Sequence, residues 1–350
     1  MRPSLCLLRL SALGDVTHVV PLVRTLQRAW PGAPGTMPPL HWIIDPAGFR
    51  LLDGLDGVVF HVYDKRSGLA GMRKLRATLP AEPFGALLQM QVAFRANLLS
   101  AWIRADRRIG YDRARSKDLH GLFVNERIPD RPGIHVLDAI GSFCEPLGLA
   151  QTRVDWDLPV PAAAREWAQD QWPDDGTPVL MVSPCSSHQR RNWYPDRYAA
   201  LADHAVARGW RVVLCGGRSE LERSTADAIL AAMRAPALDL VGKDTLKQLP
   251  ALLARARLLV TPDSGPMHIA NAMGTKVLGL HAASNPARSG PYSDRRYCVD
   301  RYDAAARRYL GKPASALKWG TKIEHDGVME LVTLGDAIDA FERYRADHGG

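Results

Sequence analysis

The sequence predicts an α/β protein made of two doubly wound parallel sheets, and three observations carry that prediction. Short β-branched or leucine-rich runs alternate with longer amphipathic stretches along the chain, as parallel sheets covered by helices on both faces require. Near the middle, Asp155-Trp156-Asp157-Leu158-Pro159-Val160-Pro161 interrupts the alternation with two prolines that favour an extended connector. At 350 residues and 46% hydrophobic composition, each half can bury its own core.

In the first half, residues 5–10 read as a strand, 17–30 as a helix bent around Pro21, and 41–44 and 58–62 as further strands. Residues 85–88 then read as a strand and 94–103 as a helix. The second half is more regular, with strands at 179–183, 211–214, 238–241, 258–261 and 276–280. Helices at 196–208, 220–233, 246–257 and 267–272 separate them. The units predicted are thus 1–160 and 161–332, followed by residues 333–350, whose helix at 336–345 is expected to pack back across the boundary. Paired units of this kind bind ligands beyond the carboxyl ends of their strands, so the site is expected between them.

A formal charge of +8 and a pI near 9.4 imply an anionic partner. Five widely spaced cysteines with no CxxC or Cys/His ligand spacing point to reduced thiols and no metal. Arg9 breaks the apolar start of the chain, which reads as a strand and not as a signal peptide. With no apolar run of about eighteen residues, membrane association is expected to be peripheral. A nucleic-acid partner would suit the pI, but no zinc finger, helix-turn-helix or aromatic RNA-binding signature accompanies it.

Three stretches carry candidate chemistry. Thr261-Pro262-Asp263-Ser264-Gly265-Pro266-Met267-His268 follows a strand and opens a helix. Unpaired N–H groups and the helix dipole there suit a phosphate, with Ser264 as cap, Gly265 permitting close approach and Pro266 at the first helical position. The same run also serves as a capped turn that binds nothing. Arg9-Leu10-Ser11-Ala12-Leu13-Gly14-Asp15 sets Asp15 at a helix start, where it either caps the helix or acts as general base towards a hydroxyl. Ser183 to Pro195 offers the hydroxyls of Ser186 and Ser187 beside Arg190 and Arg191, either of which could clamp a diphosphate or belong to a solvated basic loop. Cys185 in that run reads as packing, since no base accompanies it.

Together these stretches resemble glycosyltransferase family 9, the ADP-heptose:lipopolysaccharide heptosyltransferases. The likeness extends through Gln89-Met90-Gln91, Ile109-Gly110-Tyr111, His135 to Asp138, Leu214 to Gly217 and Asn285 to Tyr292. It implies a GT-B fold with the acceptor held by the first half and the nucleotide sugar by the second. Asp15 matches the family's catalytic base in an inverting, metal-independent displacement. On the donor side the resemblance assigns Ser186, Ser187, Glu220, Asp263, Ser264, Gly265 and His268, with Lys243 bordering the adenine. Arg191 stands where family members carry a lysine, and Tyr194 is an insertion, so Arg190 is the alternative for the diphosphate.

On the acceptor side the expected contacts are Gly14, Gln91, Lys65, Arg66 and Arg115. The wider basic set, Arg73, Lys74, Arg76, Arg95, Arg104, Arg107, Arg108, Arg113 and Lys117, is expected to hold a phosphorylated lipid A core precursor. It would also bring a cytoplasmic enzyme to the anionic inner leaflet. A family member with another acceptor or nucleotide sugar, and a non-catalytic relative, are the alternatives.

Overall fold

The computed structural model describes residues 4–29, 39–151 and 153–349. The chain divides into two compact units, Met1–Pro159 and Val160–Gly350, within a residue of the boundary the prolines predict.

In the first unit a parallel sheet contains β1 (Leu5–Leu8), β2 (Leu40–Ile44), β3 (Val58–Val62), β4 (Phe84–Gln89), β5 (Ala105–Gly110) and β6 (Glu126–Arg127), in the order β3-β2-β1-β4-β5-β6. Every residue of β1 is buried, because β2 and β4 flank it and helices cover both faces. The sequence pattern misses β5, since Arg107 and Arg108 interrupt its apolar character. Their charges are satisfied locally. Arg107 pairs with Glu126 of β6 at 2.7 Å, and Arg108 donates to the carbonyls of Ile103 and Phe123, each at 2.9 Å.

The first helix runs Leu13–Ala29, starting four residues before the prediction, and Trp30 lies outside the described residues. Pro21 sits inside it and offers no N–H to the preceding turn, while Thr25 Oγ1 donates to the Pro21 carbonyl at 2.8 Å. An unpredicted helix, Pro46–Leu52, carries its own signal: Asp45 accepts from Gly48 N–H and proline occupies the first turn. Helices Gly68–Thr78 and Val136–Gly141 are further additions.

The second sheet contains β7 (Val179–Val182), β8 (Arg211–Leu214), β9 (Leu238–Asp239), β10 (Leu258–Pro262), β11 (Lys276–His281) and β12 (Val299–Asp300), in the order β12-β11-β10-β7-β8-β9. Here β10 and β7 are the buried centre, and the predicted strands all occur, with β9 shorter than expected. The final helix, Leu334–His348, begins in a capping box of Thr333 and Asp336. It lays Ala337, Ala340, Phe341 and Tyr344 into the second unit's core. Phe341 meets Trp210 edge-on at 5.1 Å, and Tyr344 donates to the Arg257 carbonyl at 2.9 Å, so its apolar stripe is matched there.

Candidate functional site

In the first unit, β1 ends at Leu8 and the chain turns through residues 9–12 into the first helix. Asp15 is the third residue of that helix, and its Oδ2 accepts from Ala12 N–H at 3.2 Å. The capping geometry expected of an acid in this position is therefore present. The Arg9 guanidinium grips the same oxygen at 2.5 Å, while another of its nitrogens donates to the Met90 carbonyl at the end of β4. Burial opposes the charge on Arg9, but Asp15 and Tyr111 outweigh it and hold the group firmly protonated. Asp15 remains about one-third exposed while its orientation is fixed.

Gln91 belongs to the same cluster, its Oε1 accepting from Leu10 N–H at 2.7 Å, and Gly14 is buried in the helix's first turn. One turn past Asp15, the buried His18 ring meets His135 edge-on at 5.6 Å, and His135 Nδ1 caps the helix Val136–Gly141. His18 is a member that sequence reasoning missed. Its signal was the i+3 spacing from Asp15 on one helix.

The other acceptor candidates have local commitments. Arg66 folds onto Asp64 at 2.9 Å, and Lys65 is exposed on a single turn whose carbonyl accepts from Arg95. Arg115 is an ion-paired partner of the nearly buried Asp112 and reaches the Pro129 and Arg131 carbonyls, so its charge organises its own loop. His120 is structural. It accepts from Tyr111 N–H, so its Nδ1–H donates to Asn97 Oδ1 at 2.9 Å, and burial, with Arg127 nearby, pushes its pKa down to about 4.

In the second unit, Ser264 caps the helix Gly265–Ala272 by accepting from Met267 N–H, and its hydroxyl also meets Thr261 Oγ1 at 2.8 Å. Because the helix begins at Gly265, Pro266 occupies its second position, still among those whose N–H has no partner to lose. Asp263, at the tip of β10, is the electrostatic centre. Its Oδ2 pairs with Lys322 Nζ at 2.5 Å and lies 3.5 Å from Ser289 Oγ; its Oδ1 is 4.0 Å from His268 Nε2. Burial resists ionisation of Asp263, yet Lys322, His281 and His268 prevail and hold it well below the usual carboxylate range. Fully buried His281 is pushed down to about 4, chiefly by burial, and is neutral at pH 7. Gly279 makes room for it, since a Cβ there would come within 2.7 Å of the ring Nε2.

Arg190 and Arg191 share the single turn Gln189–Arg191 but point to different partners. Arg190 pairs with the exposed Asp326 at 2.8 Å, whereas Arg191 pairs with Glu324 and contributes to the field around Lys322. Arg191 is accordingly the arginine of the Asp263 cluster. Arg288 adds a third positive charge near Lys322, whose own pKa is lowered by burial and only partly restored by Asp263. The buried Ser186 hydroxyl donates to the His188 carbonyl at 3.0 Å and accepts from His188 N–H at 3.3 Å, while Ser186 N–H donates to Asn192 Oδ1 at 2.7 Å; Ser187, its neighbour, is exposed.

Glu220 is exposed on the first turn of the helix Glu220–Ala232. The carboxylate that folds back onto the glycine loop is that of Glu222, which accepts from Gly217 N–H at 2.7 Å and from Ser219 Oγ at 2.6 Å. Lys243 donates to the Asp239 carbonyl at 2.6 Å and is exposed. Its neighbour Asp244 is mostly buried, and burial pushes its pKa up to about 6.

Two six-stranded parallel sheets flanked by helices, each with charged residues where its strands give way to loops, have the GT-B fold. The chain belongs to glycosyltransferase family 9 (heptosyltransferase), which it matches over residues 72–319. It is 36% identical to the lipopolysaccharide core heptosyltransferase OpsX of Haemophilus influenzae, over 97% of this chain and 96% of that one. The fold is shared with a family 9 glycosyl transferase from Veillonella parvula, at a TM-score of 0.82 and 21% identity, covering 99% and 98% of the two chains. E. coli heptosyltransferase WaaC with ADP aligns at a TM-score of 0.72 and 16% identity, covering 97% and 99%.

Proposed function

We propose that this glycosyltransferase moves a heptose from ADP-L-glycero-β-D-manno-heptose to a Kdo or heptose hydroxyl of the lipopolysaccharide inner core. The observation that carries the reading is the end-to-end similarity to a core heptosyltransferase, at 36% identity. In the proposed reaction the acceptor oxygen bonds to the anomeric carbon as the bond from that carbon to the diphosphate breaks. Asp15 takes the acceptor proton, and attack opposite the leaving group inverts configuration.

Negative charge develops on the departing ADP and needs stabilisation where it forms. The helix start offers the N–H groups of Ser264 and Gly265, and Arg191 and Lys322 offer fixed cations in the same cluster. These protein charges support a reaction that needs no metal ion. Gln91 and Gly14 are read as acceptor contacts because they frame Asp15, and the basic face of the first unit is read as meeting the phosphorylated acceptor at the cytoplasmic surface of the inner membrane. Among donor contacts, Glu222 is a better candidate than Glu220 for the sugar hydroxyls of the nucleoside, because its carboxylate is the one turned to the glycine loop.

Mass spectrometry of products formed from ADP-heptose and a panel of defined core acceptors tests donor and acceptor together. Addition of one heptose residue is the expected result, with inverted anomeric configuration by NMR. Transfer from another nucleotide sugar alone would overturn the donor assignment, and activity lost to a chelator and regained with metal would overturn the metal-free mechanism.

A further inference from the structure

We infer that the face formed by the helix Phe94–Ala101 and residues 117–122 docks on an anionic lipid bilayer. Five of the eight large apolar side chains that are exposed among the described residues lie here: Phe94, Leu98, Trp102, Leu119 and Leu122. Positions 94, 98 and 102 form one stripe at helical spacing, opposite the buried Ala96, Asn97, Leu99 and Ser100. Leu119 and Leu122 extend the stripe and are the most open of the five, at 62% and 78% exposure.

The two pieces are joined, not merely close. Asp118 Oδ2 accepts from Phe94 N–H at 3.3 Å, and Asn97 Nδ2 donates to the Asp118 carbonyl at 2.8 Å. Asp118 and Leu119 both adopt positive φ, 52° and 62°, a conformation costly for a leucine that Asn97 helps to hold. A loop kept in that state to present leucines outward is poorly explained by folding alone, because water is the worst environment for them.

Charge selects the occupant. Residues 60–120 contain twelve lysines and arginines against five aspartates and glutamates, most of the chain's formal +8. Arg95, next to Phe94, and Lys117, two residues before Leu119, are exposed beside the apolar side chains, and Arg113 is exposed earlier in the segment that leads to Lys117. Apolar side chains flanked by cations fit the boundary between acyl chains and anionic headgroups. A nucleic acid would meet the cations but leave the leucines and Trp102 unmatched. No helix of the described residues is long and apolar enough to cross a membrane, so the contact is one of surface docking.

The inference rests on the reading of a lipid-linked acceptor, and one experiment separates the two. Full-length protein is sedimented with vesicles of phosphatidylethanolamine and phosphatidylglycerol, or of phosphatidylcholine alone, and compared with Leu98→Ser/Leu119→Ser/Leu122→Ser. We expect binding to the anionic vesicles only, release by high salt, and a loss of about tenfold or more in the triple variant. Turnover on a soluble, deacylated acceptor should be unchanged in that variant. Equal sedimentation of wild type and variant, or equal binding to neutral vesicles, overturns the inference. So does a wild-type dimer that the substitutions convert to monomer in ultracentrifugation, which would make this face an interface between copies. If vesicle binding behaves as expected but no heptose is transferred to any acceptor, the functional reading fails and the docking face stands.

Discussion

The two units share one architecture, six parallel strands with buried strands at the centre, yet they differ in where positive charge is left exposed. In the second unit three of the cations described have an acid from the same unit: Arg190 with Asp326, Arg191 with Glu324, Lys322 with Asp263. In the first unit, Arg9 is matched by Asp15, but Arg95 and Lys117 lie exposed beside open hydrophobic side chains. A preorganised set of internal pairs suits a small charged ligand that enters and leaves, whereas exposed cations suit a surface too large to be enclosed. On the proposed reading the same fold serves two kinds of recognition, and the difference resides in which loops supply the counter-charges.

The strongest way to break this comparison is at Asp15. Its replacement by Asn is expected to lower kcat by about 10²–10⁴-fold, the usual range for a lost general base, while calorimetry shows ADP binding intact. Unchanged turnover would leave Asp15 as a helix cap and move catalysis elsewhere. Next comes the pair in the second unit. Lys322→Met strands the Asp263 carboxylate in a mostly buried setting, and urea unfolding should report a loss on the order of 2–3 kcal/mol. Adding Asp263→Asn to that variant should recover much of it, since the uncompensated charge is then gone. A double variant no better than the single one would show that the pair is not the source.

Acid provides a third test, read in the first unit. His120 and His61 are both held near a pKa of 4, chiefly by burial, far below the ordinary histidine value. Between pH 6.5 and 4 the unfolded chain therefore binds more protons than the folded one, and stability falls as pH drops through that window. Thermal melts from pH 7 to pH 4.5 should show it. The smallest effect is expected at Asp244, where the sign is reversed. Its folded pKa of about 6 lies above the unfolded value, so stability falls as pH rises from about 4 to 6. Asp244→Asn should raise stability at pH 7 by on the order of 2 kcal/mol and have no such effect below pH 3.8. A gain that persists in strong acid would point to packing, not charge.

The second unit was the more legible of the two. Its strands are continuous apolar runs, because a parallel strand buried on both faces has no polar side to show. In β5 the arginines hid a strand whose polar groups find carbonyl and carboxylate partners only once the sheet is assembled. Site residues divide the same way. The placement of Asp15, Ser264 and Asp263 was readable because strand ends and helix starts are local features. Spacing alone could not say whether Glu220 or Glu222 turns to the glycine loop, since two residues along a helix turn a carboxylate to another face, and only the Ser219 cap fixes which one meets Gly217.

By itself the sequence determined the two-unit α/β design, the anion-ready turn before Gly265 and the acid in the first turn of the first helix. Propensity, capping and hydrophobic period act over a few residues, and a few residues suffice to read them. Tertiary structure alone decided that Lys322 and Glu324 would meet Asp263 and Arg191 from as much as 133 residues away, and that Arg115 would be matched by its own loop. It also decided that Leu119 and Leu122 would be left in the open beside Phe94. Charge pairing and exposure depend on distance in space, which no spacing along the chain records.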